Sequence, residues 1–168
     1  PRAFGVSGLL YNSDLLMYER GTEESSLWAQ LLGEAVVGPL TGKKLKLLPS
    51  VQTTWEEWKA RHPGTMVLDV NTGFSRNYGR DPYRGYDEES GTYFPTDNRD
   101  DRLFSKEWVY GITIGEVHKA YKIESLKARR IVNDSVGGVN LVLIADGNSG
   151  GVRAYHRGEN VFSGSTTK

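Results

Sequence analysis

The sequence predicts an α+β domain that is predominantly β: about ten short, mostly antiparallel strands, with one clear helix at residues 53–62 packed on the sheet. Three observations carry this expectation. Glycine supplies 20 of the 168 residues, well above its usual share of about 7%, so tight turns are frequent and strands short. Short apolar or alternating runs recur between turn-forming groups such as Asn12-Ser13, Gly137-Gly138 and Asp146–Gly151. One stretch alone carries both the start and the stop signals of a helix.

Phe4–Leu10 and Asp14–Arg20 flank Tyr11-Asn12-Ser13 and read as a β-hairpin. Ser26–Leu32 suits either a strand or one helical turn, because its period does not discriminate. Glu34–Gly38 and Lys44–Pro49 are taken as strands, the second near an edge where lysine discourages stray pairing. The helix begins at Thr53 or Thr54, since Thr53-x-x-Glu56 has capping-box spacing, and His62-Pro63-Gly64 stops it. Trp55 and Trp58 share a face of this helix and are expected to dock it on the sheet. Thr65–Val70 returns as a strand.

Residues 76–102 form a long loop rich in Tyr, Asp and Arg; a loop of this length inside a domain is more often functional or disordered than filler, and the aromatics Tyr78, Tyr83, Tyr86, Tyr93 and Phe94 argue against disorder. Regularity resumes with Trp108–Ile114 and Glu116–Ile123, a tight hairpin or bulged pair. A short helical turn at Ile123–Lys127 precedes Ile131–Val136. Gly137-Gly138 then turns the chain into Val139–Ala145, the most apolar strand and the expected centre of its sheet. Val152–His156 forms a further strand, and 158–168 is expected to be a flexible tail. Residues 1–168 are read as a single β-rich domain, part of a longer domain.

Composition narrows the function classes. Lys plus Arg and Asp plus Glu number 21 each, so no global field favours nucleic acid as a partner. The absence of Cys removes thiolate metal sites and Cys nucleophiles. No metal site, cofactor or membrane span is predicted, and the oligomeric state is not legible. The chain starts at Pro1-Arg2-Ala3 without Met, as a processed product or a piece of a longer protein does.

Asn77–Asp87 looks least like scaffold, with three Tyr, two Arg and two Asp among turn-forming residues. Arg80 and Arg84 can clamp a carboxylate or phosphate, and Tyr78, Tyr83 and Tyr86 offer stacking faces ending in a hydroxyl. Against this stands a scaffold role in which Arg80 pairs with Asp81 or Asp87 and the tyrosines plug the loop onto the sheet. Glu19, Arg20 and Trp28 can line a pocket as carboxylate, cation and platform; the plainer alternative is a surface ion pair at a strand end. Asp97, Asn98, Asp100 and Asp101 carry oxygen but lack the spacing of a calcium loop. Asn133-Asp134 can present a carboxylate at a sheet edge or merely bond its own backbone.

The Phe4–Leu10 run, Asn12-Ser13-Asp14-Leu15 with Met17-Tyr18, Leu27-Trp28 to Ala35, Gly38–Gly42, Tyr78–Asp87 and Ile131–Gly138 are together similar to the domain-of-unknown-function family thirty-one seventy-nine. The resemblance implies a prokaryotic, commonly exported protein, and hence an extracytoplasmic location, without an established role. It also implies a pseudo-repeat. Ala120-Tyr121-Lys122 and Val132–Gly138 resemble its second copy, with Lys122 where the family usually has Pro, and the first copy, with its Cys-x-x-Cys motif, is expected to lie before Pro1. The reading that follows is binding of a small polar ligand or a partner polypeptide through the Tyr78–Asp87 loop. Alternatives are a hydrolase using a carboxylate pair drawn from Glu19, Asp81 and Asp87, or a structural subunit of a larger assembly.

Overall fold

The computed structural model describes residues 2–164. Among these, nine strands form three antiparallel sheets, accompanied by two α-helices and one 3₁₀ turn, so the domain is β-dominated α+β. The chain divides into two compact units. The first takes the residues up to Pro49 together with Gly85–Ser105, and the second takes Ser50–Arg84 together with the chain from Lys106 onward.

The first unit is a four-stranded meander of β1 (Phe4–Tyr11), β2 (Asp14–Glu19), β3 (Leu27–Ala29) and β4 (Glu34–Val37), paired in that order. Asn12 and Ser13 both adopt positive φ, 51° and 62°, which is what a two-residue turn matched to the strand twist requires. A register shift between Val6 and Leu10 bulges β1, and Ser7 Oγ bonds the Leu16 carbonyl there at 2.7 Å. Ser26–Leu32 resolves into the short strand β3. The strand expected at Lys44–Pro49 reduces to one bridge between Lys44 and Glu34, because nothing beyond Leu45 continues the pairing along β4. Part of the long loop is pinned to the β1–β2 turn: Ser13 Oγ donates to the Phe94 carbonyl at 2.8 Å, and the Asp97 N–H donates to Asn12 Oδ1 at 2.7 Å.

In the second unit, β5 (Val109–Ile114) and β6 (Val117–Lys122) form the expected hairpin, and β7 (Ile131–Val136), β8 (Val139–Ala145) and β9 (Val152–His156) form a sheet with β8 at its centre. Leu141, Leu143 and Ala145 point to one face of β8 and build the core with Leu126, Val136 and Val152. Tyr110, Ile112 and Ile114 of β5 and Tyr121 of β6 pack against that core, so the hairpin covers the sheet. Helix α2 (Ile123–Arg129) contributes the buried Leu126. The β7–β8 turn needs glycine twice over: Gly137 has φ 55°, and a Cβ there would stand 2.8 Å from the Ile114 carbonyl oxygen.

The helix α1 (Trp55–Arg61) forms, but its capping box is shifted by one residue. Thr54 caps it, accepting from the Glu57 N–H at 3.2 Å, while Thr53 Oγ1 bonds the Glu57 carboxylate. The expected docking on a sheet is not what Trp55 and Trp58 do. No residue of α1 is buried, and Trp58 spends its indole locally, on Thr65 Oγ1 at 2.9 Å and against His62. Thr65–Val70 is likewise not a strand: it pairs with nothing regular and leaves Met66 and Leu68 95% and 88% exposed. Strand-like composition did not suffice without a neighbour to complete the ladder.

The expected tail is tethered at its start. The Phe162 N–H and carbonyl both bond the Asn133 side chain, and the Gly158 carbonyl accepts from Asn140 Nδ2; its last four residues lie outside the described residues. Truncating Leu143, which has no exposed surface, to alanine is expected to cost about 2–5 kcal/mol. Leu68→Ala should stay within about 0.5 kcal/mol. Urea unfolding of the two variants beside the parent chain checks both, and a large loss at Leu68 would restore the strand reading of Thr65–Val70.

Candidate functional site

The Tyr-rich loop folds through a succession of local side-chain-to-backbone bonds. Asn77 Oδ1 accepts from the Gly79 N–H at 3.1 Å, and Asp81 Oδ1 accepts from the Tyr83 N–H at 2.8 Å. Asn and Asp stabilise turns in this way, and Pro82 fixes φ inside the second of these turns. Tyr78 is held from the side by a 2.7 Å bond between its hydroxyl and Thr72 Oγ1. The result is an open groove of about 670 Å³ walled by Asn77, Gly79, Arg80, Asp81, Pro82 and Arg84, all within the second unit.

The electrostatics of this groove turn on what Arg80 and Arg84 do not do. Neither forms an ion pair among the described residues, and the Asp81 carboxylate spends Oδ1 on the backbone of its own turn. The pairing of Arg80 with Asp81 or Asp87 that a purely scaffolding loop would show is therefore not formed. Tyr83 stands exposed. Tyr86 and Asp87 fall in the first unit, inside the 3₁₀ turn Tyr86–Glu88, where the Tyr86 ring meets Tyr93 with centroids 4.4 Å apart. The loop that reads as one motif is thus divided, and the groove contains Arg80, Asp81 and Arg84 of its candidates.

Glu19, Arg20 and Trp28 belong to the first unit, where they occupy β2, its end, and β3. Glu19 is only 4% exposed. Its Oε1 lies 2.5 Å from the Arg2 guanidinium, its Oε2 accepts the Ser26 N–H at 3.2 Å, and its own carbonyl accepts from Ser25 Oγ at 2.9 Å. The partner of Glu19 is Arg2 rather than the neighbouring Arg20, whose guanidinium lies 5.9 Å from the Tyr18 ring centre. Trp28 is buried, edge-on to Phe4. Burial closes both Glu19 and Trp28 to a ligand approaching from solvent, and a buried carboxylate joined to a guanidinium and a backbone amide is a clamp on the β2–β3 connection.

The acidic stretch Asp97–Arg102 has its own ion pair. Arg102 binds the Asp100 carboxylate through Nε and Nη2, and these hydrogen bonds, with that of the Arg102 N–H, hold the Asp100 carboxyl down at about 2. No group of three or more His, Asp or Glu able to hold a metal ion occurs among the described residues.

Sequence reasoning singled out Asp134 as a carboxylate at a sheet edge but not the partners that make it a second polar cluster. Asp134 Oδ2 accepts from Lys119 Nζ at 2.6 Å and from the Tyr121 hydroxyl at 2.8 Å, and Oδ1 accepts from the Ser135 N–H at 2.7 Å. The signal was in the chain, since Tyr121 and Asp134 belong to the two segments, Ala120–Lys122 and Val132–Gly138, that resemble one repeated unit. In the fold the two segments meet through this bond. Burial and the neighbouring Asp134 raise the Tyr121 hydroxyl above its ordinary value, in keeping with the proton it donates to that carboxylate. Desolvation works to raise Asp134, but the ammonium, the amide and the phenol together outweigh it and hold the carboxyl below 3.8.

A family model described as Protein of unknown function (DUF3179) matches residues 1–165. The chain belongs to that family. Neither a curated protein nor a solved structure matches it. No helix among the described residues is long and apolar enough to cross a membrane. Family membership agrees with the resemblance carried by Phe4–Leu10, Tyr78–Asp87 and Ile131–Gly138, and it brings no activity with it.

The Asp134 cluster makes a pH-dependent contribution of defined sign. Its carboxyl is depressed in the folded chain relative to 3.8 in the unfolded one, so the stabilisation is fully present above that value and is lost as pH falls through the lower, folded one. Asp134→Ala is expected to cost about 1–3 kcal/mol at pH 7 and progressively less on acidification below about pH 4. Denaturant titrations of both chains at pH 7 and pH 3 read the difference, and a gap that widens in acid would contradict the assignment.

Proposed function

We propose that this DUF3179 domain binds a small anionic ligand, one bearing a carboxylate or phosphate, in the groove walled by Arg80 and Arg84. The observation that carries the reading is the pair of arginines lining one groove with no acidic partner. Guanidinium groups match carboxylate and phosphate oxygens in geometry as well as charge. The chain carries no net charge, so attraction at this place is local. Turns bonded to their own backbone hold the groove open before a ligand arrives, which lowers the ordering cost of binding. The extracytoplasmic, prokaryotic setting implied by the family resemblance is part of the same proposal, and a soluble anionic metabolite is a ligand available there.

Isothermal titration with inorganic phosphate, citrate and a sugar phosphate tests the site. Saturable binding of at least one probe is expected, weakened about tenfold or more by Arg80→Ala and again by Arg84→Ala, in line with the roughly 1.5–3 kcal/mol of a hydrogen bond to a charged group. Unchanged binding in both variants, or binding of none of the three probes, would remove the proposal.

A further inference from the structure

A second cleft lies in the second unit, away from the Tyr-rich loop in sequence. It has a volume of about 260 Å³ and is lined by Gln52, Glu107, Trp108, Glu124, Lys127 and Ser149, with Ile123 and Gly150 completing it. Trp108 is 59% exposed, immediately before β5, whose own aromatic, Tyr110, packs on the core. The exposed indole gives the cleft one flat apolar wall with an N–H at its edge.

The walls are fixed. The Trp108 carbonyl accepts from the Ile123 N–H at 3.0 Å, which ties the start of β5 to the start of α2. Asp146 Oδ1 takes the N–H groups of Asn148 and Ser149 at 2.8 and 2.9 Å, fixing the β8–β9 turn that carries Ser149. Close approach holds the neighbouring segments together. A Cβ on Gly151 would stand 2.5 Å from the Gln52 carbonyl oxygen, and one on Gly150 would stand 3.2 Å from Ile123.

The charges in the cleft cancel in pairs. Lys122 Nζ lies 2.9 Å from Glu107, and Lys127 Nζ lies 2.8 Å from Glu124. A cation meets Lys127 and an anion meets two carboxylates, so neither sign of ligand gains. What remains is a planar apolar wall surrounded by amide, hydroxyl, carboxylate and ammonium groups able to donate and accept in several directions. A ring with an apolar face and a rim of hydroxyls fits that chemistry. The volume falls just under the roughly 300 Å³ at which pockets for drug-sized ligands begin, which suits one ring and not a chain of them.

We infer that the Trp108 cleft is a binding site for a single neutral polyhydroxylated ring, a monosaccharide or cyclitol, lying against the Trp108 indole with its hydroxyls on Gln52, Ser149 and the two ion pairs. The site is independent of the arginine groove and does not require it.

Titration of the full ¹⁵N-labelled chain with glucose, N-acetylglucosamine and myo-inositol, followed by the indole N–H resonances, tests this, with Trp108→Phe assigning the Trp108 signal. The Trp108 resonance is expected to shift saturably with at least one probe, half-saturating on the order of 1 mM as suits a ligand of about a dozen heavy atoms, while those of Trp55 and Trp58 stay still. Trp108→Ala should weaken binding about tenfold or more. Gln52→Ala, at an exposed position that keeps the platform and the fold, should weaken it several-fold, and Arg80→Ala should leave it unchanged. Absence of a saturable shift with all three probes, equal shifts at every exposed indole, or unaltered affinity in Gln52→Ala would each overturn the assignment.

Discussion

The side chains of Leu141, Leu143 and Ala145 leave water on one face of β8, and the second unit is arranged so that they can. Each large apolar side chain buried there contributes about 1.5–3 kcal/mol, provided that both strand neighbours and a covering layer are present. The neighbours are β7 and β9, and the cover is the β5–β6 hairpin with Leu126 of α2. That cover brings Trp108 to the start of α2, and it brings Tyr121 on β6 within bonding distance of Asp134 on β7. Both the polar cluster and the cleft are consequences of closing one apolar face.

The first unit solves a different problem with a different device. Its meander has few buried large side chains, and the β2–β3 connection is secured by the Glu19 carboxylate, shared between Arg2 and the Ser26 amide. Ser26, itself fully buried, passes the constraint on by accepting the Leu40 N–H at 3.0 Å. A buried carboxylate that lost its partners would be strongly destabilising. Glu19 thus contributes to the architecture of the β2–β3 connection, and its position beside Arg20 in sequence says little about which cation it meets.

The contrast between Asp134 and the arginine groove separates two kinds of polar cluster. Asp134 has three donors and is satisfied within the protein, so it orders the hairpin against the sheet. Arg80 and Arg84 hold five-donor groups toward an open groove with no acidic partner among the described residues. Charge satisfied internally stabilises a fold; charge left available can recognise a ligand. The Trp108 cleft stands between these cases, its charges paired and its aromatic wall uncovered.

By itself the sequence determined the local features: the Asn12-Ser13 and Gly137-Gly138 turns, the β5–β6 hairpin, the helix opened by threonine and closed by His62-Pro63-Gly64, and β8 as the central strand. These follow from φ limits, capping and apolar runs, which act over a few residues. The exposed, loop-borne character of Tyr78–Asp87 was legible for the same reason. Only the tertiary structure decided what depends on partners distant along the chain. Thr65–Val70 and Lys44–Pro49 have strand composition, yet a strand exists only where a neighbour supplies its hydrogen bonds, and none does so for these two beyond one bridge at Lys44. Trp55 and Trp58 share a helical face that no core meets. Glu19 found Arg2, Tyr121 found Asp134, and the Tyr-rich motif was divided between two units, because pairing across 13 or 17 residues is set by strand register and by how elements pack, and not by which residues are adjacent in the chain.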